Sequence, residues 1–327
     1  MKTVHVRPEE AQTALGALVK RALELPWSAA KELIARGKVA INGKVVTDPG
    51  HRLTPGWAVT IDPKAPTPEG LKTRGDGGVD LERARLLHHD AHLIVVDKPP
   101  GVSSVPFEPG ERGTLVDRLA TALHRWKLAP AKAPLFVVHR LDRETSGVMV
   151  FGRTWVAKRH LAGLFRQHAL DREYVALVHG RLDAARTVDS VLLDDRGDGL
   201  RGSARGKTAP HIGQRAITHL RPIKFLEGEE EATLVAARLE TGRQHQIRIH
   251  LSEMGHPLVG ERVYIRNFDG PRIEAPRVML HARTLGFTHP AQPEASPRVF
   301  EAEIPEDFRL VAKRLGLHGS VPKNEVL

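Results

Sequence analysis

Cysteine is absent from this 327-residue chain, which excludes disulfides, thiolate nucleophiles and zinc sites built on sulfur. Aromatic residues make up only 5%, and two of them are tyrosines. No apolar stretch approaches the ~18 residues of a membrane span, and no basic amphipathic helix with a bulky apolar face is visible, so no membrane partner is expected. Residues 1–8 lack the apolar core of a secretion signal, and a cytoplasmic location is expected. No G-x-x-x-x-G-K-[ST] loop occurs, which argues against nucleotide-driven chemistry. Acidic residues are the minority charge: 39 Asp and Glu face 49 Lys and Arg, for a formal +10. That balance favours a polyanionic partner and salt-sensitive binding. Among 18 histidines, His245 and His250 stand five apart, which suits neither a helical metal pair nor one face of a strand. With no His-Glu-x-x-His either, no metal and no cofactor are expected.

What is present supports a folded protein. Apolar residues at 41% suffice for a core, and the length suggests one large domain plus a small one. The most informative stretch is Val137-Val-His-Arg-Leu-Asp142-Arg-Glu-Thr-Ser-Gly147-Val-Met-Val-Phe151. Two β-branched runs, each long enough for a buried strand, flank a charged segment. Loops held by a sheet are where catalytic residues concentrate. The arginines on either side of Asp142 favour its ionised form, which suits a nucleophile or a base.

The run from His139 to Gly147 resembles the active-site motif of the RluA-type pseudouridine synthases, which isomerise uridine in structured RNA. Four further stretches match that family in order. Leu93-Ile-Val-Val-Asp97-Lys98-Pro-Pro-Gly101 is similar to its first motif. Arg172-Glu-Tyr174-Val-Ala-Leu-Val-His-Gly180 is similar to the strand bearing its active-site tyrosine. Thr241-Gly-Arg243-Gln-His245-Gln-Ile-Arg248-Ile-His-Leu251 and Gly255-His-Pro-Leu-Val-Gly260 follow. The five matches span roughly residues 86–290.

The N-terminal part carries a second resemblance. Leu15, Leu18, Val19, Ala22 and Leu23 fall at helical spacing, with Pro26 ending that helix. Ser28 is read as the cap of a second helix over 29–36, which turns Ala30, Leu33 and Ile34 inward and stops at Gly37. Val39 to Val46 reads as a hairpin with an Asn42-Gly43 turn, and 59–61 as a further strand. The pattern resembles the αL-type RNA-binding domain, named for its occurrence in a small-subunit ribosomal protein. One departure is visible: Pro26-Trp27-Ser28-Ala29 replaces the basic residue usual at the start of the second helix. RNA contact by this module is therefore expected from Lys31, Arg36, Lys38 and Lys44.

The expected architecture is α+β: a mixed, antiparallel-rich catalytic domain over 82–315, after an RNA-binding domain over 1–62. A Pro/Gly linker over 63–81 separates them, and 316–327 is a tail. A mobile basic loop is expected over 194–214, helices near 156–165 and 244–254, and strands at 216–220, 232–239 and 277–281.

The resemblance implies site roles. Asp142 corresponds to the catalytic aspartate, acting as nucleophile or as base at the ribose. Arg248 corresponds to the arginine that pairs with it, sharing a helix face with His245. Tyr174 corresponds to the residue that stacks on the flipped uracil and whose hydroxyl handles a proton. Arg140 corresponds to the residue inserted where the base was, and His139 is read as structural. Arg143, Arg243 and His245 are read as further RNA contacts. Structured RNA is the expected partner, large-subunit ribosomal RNA foremost, and a monomer is expected. Two readings stay open beside it, a transfer RNA substrate and a non-catalytic RNA-binding or ribosome-assembly factor. The latter would predict loss of Asp142, Tyr174 or Arg248. A methyltransferase would need a Gly-rich loop after a strand, and none appears.

Overall fold

A computed structural model describes residues 1–66, 81–106, 111–130, 133–197, 199–204, 213–266, 268–319 and 321. Most of the expected linker, residues 198 and 205–212 of the expected basic loop, and residues 320 and 322–327 of the expected tail lie outside them. The chain divides into two compact units, residues 1–77 with 192–213, and residues 78–191 with 214–327.

In the first unit, helices α1 (Leu15–Leu23) and α2 (Trp27–Ala35) pack on a sheet of strands β1 (Lys2–His5), β2 (Val39–Ile41), β3 (Lys44–Val45) and β4 (Ala58–Ile61), in the order β1-β4-β2-β3. Leu15, Leu18, Val19, Ala30 and Ile34 close the core against Val39, Val59 and Ile61. The expected hairpin is there, with Asn42 and Gly43 both at positive φ, as a tight turn between right-twisted strands requires. The second helix starts earlier than expected. Its N-cap is Pro26, so Ser28 lies inside the helix and is not the cap. Proline fits there because its fixed φ is preset for a helix start and its missing N–H is not needed.

In the second unit the sheet runs β10-β12-β13-β9-β14-β8-β6-β5, with β15 on β14 and β7 on β8, while β11 (Gly202–Ser203) lies in the 192–213 segment of the first unit and pairs there with residues 192 and 193. The strands of the second unit are β5 (Leu86–His89), β6 (Leu93–Lys98), β7 (Phe136–Val137), β8 (Ser146–Gly152), β9 (Asp171–His179), β10 (Arg186–Leu193), β12 (Gln214–Glu227), β13 (Glu231–Leu239), β14 (Leu280–Phe287) and β15 (Arg298–Glu301). β8 and β14 pair in parallel, while β12, β13, β9 and β14 form antiparallel neighbours, so the sheet is mixed and antiparallel-rich. Helices α3 (Leu115–Arg125), α4 (Trp155–Gln167), α5 (Gln246–Glu253) and α6 (Glu306–Arg314) complete the unit. Thr114 with Asp117 caps α3, and Thr154 caps α4, each satisfying first-turn amides.

β8 is buried along its whole length, as an apolar strand between two neighbours must be. Gly147 near its start has φ +118, and a Cβ there would fall 2.0 Å from the Ala282 carbonyl oxygen. Only glycine lets β8 and β14 approach so closely. Two expected elements shift. The strand placed at 277–281 begins at Leu280, because Arg277 turns inward to Asp307, Ser146 and the Glu144 carbonyl. The helix placed at 244–254 begins at Gln246, because His245 takes a left-handed φ of 59 and caps it.

Candidate active site

The loop between β7 and β8 is clamped from below. Lys98, fully buried, donates from Nζ to the carbonyls of Pro99, Val102 and Arg143 at 3.0, 2.8 and 3.1 Å. Burial pushes its amine down to about 7, with nearby Asp142 pulling the other way. Ser104 Oγ donates to the Leu141 carbonyl at 2.7 Å and accepts from the Leu141 amide at 3.0 Å. His139 packs beneath, its ring 4.6 Å from that of Phe165, and Nε2 accepts from the Val150 amide. Burial pushes that imidazole down to about 3, so it stays neutral.

The clamp presents Asp142 to a pocket of about 400 Å³. Arg140, Arg166, Arg172, Arg243 and Arg248 line it together with Tyr174 and His245. Asp142 is the sole carboxylate among the described lining residues. Arg248 Nη1 lies 3.4 Å from one Asp142 oxygen, and His245 Nε2 lies 3.8 Å from the other. Arg248 itself is held from behind. Glu261 accepts from its Nε at 2.7 Å and its Nη2 at 2.8 Å, a bidentate pair. Burial opposes charge on both partners, but their mutual hydrogen bonds win, raising the guanidinium and lowering the Glu261 carboxyl. Amides of residues 262–264 also donate to Glu261.

Tyr174 projects from β9, where its neighbours in register are Ala237 and Ala282. Small residues on both sides leave room for its ring between two apolar clusters. Burial pushes its hydroxyl up, so it carries its proton through neutral pH. The other tyrosine, Tyr264, is also here. Its hydroxyl lies 2.7 Å from His245 Nδ1, and its ring packs 5.2 Å from the Arg248 guanidinium.

The structure thus brings Asp142, Tyr174, Arg248, Arg140, Arg243 and His245 to one pocket. His245 and Arg248 both face Asp142, but not from one helix face, since His245 precedes the helix. Arg143 is turned away from the pocket, its Nε donating to the Gly101 carbonyl. In the N-terminal unit, Arg36 pairs with Glu32 at 3.1 Å, Lys38 donates to the Ala65 carbonyl, and Lys31 lies 5.0 Å from the Trp27 ring centre. Lys44 sits on the exposed strand β3. Sequence reasoning missed Glu261, Tyr264 and Arg172. Glu261 follows directly on the Gly255–Gly260 stretch, which is the signal that could have found it.

The one metal-like cluster among the described residues is His88, Asp90 and His289. Both imidazole Nε2 atoms lie 2.8 Å from one Asp90 oxygen. The Ala291 amide donates to His289 Nδ1, which leaves that ring's Nε2 to donate to Asp90. The cluster reads as a hydrogen-bonded knot.

Residues 92–253 match the family model described as RNA pseudouridylate synthase, and residues 17–57 match the S4 domain. A ribosomal large subunit pseudouridine synthase D of Zymomonas mobilis is 33% identical over 313 residues, covering 92% of each chain. This chain belongs to the RNA pseudouridylate synthase family. An uncharacterised RNA pseudouridine synthase of Bacillus subtilis, YlyB, is 32% identical, covering 90% of this chain and 92% of that one. The human RNA pseudouridylate synthase domain containing 4 structure aligns with a TM-score of 0.55 at 25% identity, over 71% of this chain and 93% of that one. The pseudouridylate synthase described here is thus an RNA-acting isomerase whose pocket holds a carboxylate among cations. No described helix is long and apolar enough to cross a membrane.

Proposed function

We propose that this pseudouridine synthase modifies uridine in large-subunit ribosomal RNA, with Asp142 as its catalytic carboxylate. The observation carrying the reading is a single carboxylate in a cationic pocket, faced by Arg248 and His245. The reaction cleaves the bond between ribose C1′ and uracil N1, turns the base and joins C5 to C1′. C5 then loses its proton and N1 gains one. An ionised Asp142 is required whether it attacks C1′ or removes a proton from the sugar. Arg248 is locked by Glu261 and offers charge but no proton, so it aims the carboxylate. Tyr174 supplies a face for the flipped uracil and a protonated hydroxyl beside it.

The ribosomal substrate is supported by relatives named for the large subunit and by the S4 domain. In this reading Lys31, Arg36, Lys38 and Lys44 hold RNA phosphates, and the enzyme works as a cytoplasmic monomer. Pseudouridine mapping in a deletion strain, by carbodiimide adducts and primer extension, tests it. Loss of a large-subunit site, restored by the wild-type gene, is expected. Loss confined to transfer RNA would overturn the substrate assignment.

A further inference from the structure

The exposed side of α4 carries a feature that the pocket does not use. Trp155 is 56% exposed at the start of this helix, although large aromatics usually find cover. Its ring packs edge-on to Phe136, with ring centres 5.7 Å apart. Lys158 Nζ sits 4.3 Å from the centre of the Trp155 ring and 5.5 Å from that of Phe136. The result is an aromatic surface with a cation beside it.

Helical periodicity connects that surface to the pocket. Arg159 is four residues after Trp155 and Arg166 is eleven, and all three are exposed. At about 100° per residue, eleven steps return to within ~20° of the start, so Trp155 and Arg166 share one stripe. The rise of about 1.5 Å per residue separates them by roughly 16 Å along the axis. Arg166 already lines the active-site pocket. A tract of cation, cation and aromatic face therefore leads away from the pocket along one helix.

We infer that this stripe of α4 is a binding track for the RNA strand flanking the target uridine. Arg166 and Arg159 take successive phosphates, and an unpaired base two or three nucleotides from the target stacks on Trp155. A nucleic acid strand fits because its phosphates complement the arginines and any of its bases offers a π-face. The inference rests on the pocket being where the uridine binds.

The test uses full-length protein and a single-stranded oligouridine of about twelve nucleotides. Tryptophan fluorescence should be quenched on binding, and the quench should be largely missing in Trp155→Phe. Trp155→Ala should weaken binding by roughly 5- to 150-fold, as loss of one stacked base does, while Trp155→Phe should keep most of the affinity. Arg159→Gln should lower the slope of log affinity against log salt by about 0.7, the value for one phosphate of a single strand. Because Trp155 is outside the core, unchanged unfolding temperatures will show that the variants fold. On a large-subunit ribosomal RNA transcript, Trp155→Ala should raise the half-saturating concentration and leave the saturated single-turnover rate unchanged. Affinity within twofold of wild type for Trp155→Ala would overturn the track. So would a lowered saturated rate with unchanged affinity. Binding is read without turnover, so a failure of the Asp142 assignment would be seen separately.

Discussion

Glu261 grips two nitrogens of the Arg248 guanidinium at 2.7 and 2.8 Å, while a third nitrogen of the same group reaches Asp142 at 3.4 Å. The Glu261 side chain is fully buried and that of Arg248 is 11% exposed. Removing one partner of a buried pair strands the other charge, at a cost of about 3–5 kcal/mol. Glu261→Gln should therefore lower unfolding free energy by about 3 kcal/mol in denaturant titrations, and should also slow turnover by loosening Arg248. Arg248→Met should slow turnover by leaving Asp142 without its cation. A Glu261→Gln loss below about 1 kcal/mol would place the pair outside the buried-pair range.

Tyr174→Phe keeps the ring and removes the hydroxyl. RNA affinity should persist while single-turnover rates fall, if the hydroxyl moves a proton in the rearrangement. Burial raises the hydroxyl, so the wild-type rate should show no tyrosine ionisation below about pH 10. Parallel loss of affinity and rate would mean the hydroxyl binds RNA and transfers no proton.

Stability should fall on acidification below neutral pH. Burial holds His139 at about 3 and both His250 and His281 at about 4, below an unfolded value of about 6.5. Between pH 6.5 and 4 the unfolded chain binds protons that the folded one refuses, so stability decreases as pH drops. Each such proton is worth about 1.4 kcal/mol per pH unit. The nitrogens of His250 contact the Ser190 and Thr218 hydroxyls, bonds that an amide can replace. His250→Gln should flatten the unfolding-free-energy slope between pH 5 and 6 by about one proton. An unchanged slope would remove His250 from the account.

Charge removal in the N-terminal unit should act on binding alone. The double variant Lys38→Gln, Lys44→Gln should reduce the salt slope of ribosomal RNA binding by up to about 2. The single-turnover rate at saturating RNA should stay at the wild-type level. A collapsed rate with unchanged affinity would mean that these lysines shape the active site.

Patterns that repeat locally were legible in advance. The buried strand of Val148 to Phe151, the Asn42-Gly43 hairpin and the inward faces of α1 and α2 follow from spacing and turn chemistry alone. β1 was not legible, because Lys2-Thr-Val-His5 is mostly exposed and shows no apolar alternation. Tertiary pairing explains the other differences. Arg277 reads as a strand residue until Asp307, thirty positions away, draws it inside. Glu261 reads as an ordinary acid until the fold sets it behind Arg248. His245 reads as a helical residue, but its left-handed backbone and its bond to Tyr264 place it before the helix. At the pocket, the charged loop was visible as unusual for its Asp between arginines, and the resemblance supplied its meaning. Its clamp by Lys98 and Ser104 depends on contacts across 45 and 37 residues.

Asp142→Asn carries the central claim. The amide is nearly isosteric, so the fold and RNA affinity should stay close to wild type, but it can neither attack the sugar nor deprotonate it. Tritium release from RNA labelled at uridine C5 reads the rearrangement directly. Wild-type protein should release tritium in proportion to the sites modified, and a clean Asp142→Asn preparation should release none above background. Substantial release by the variant would contradict the assignment of Asp142 as the catalytic group.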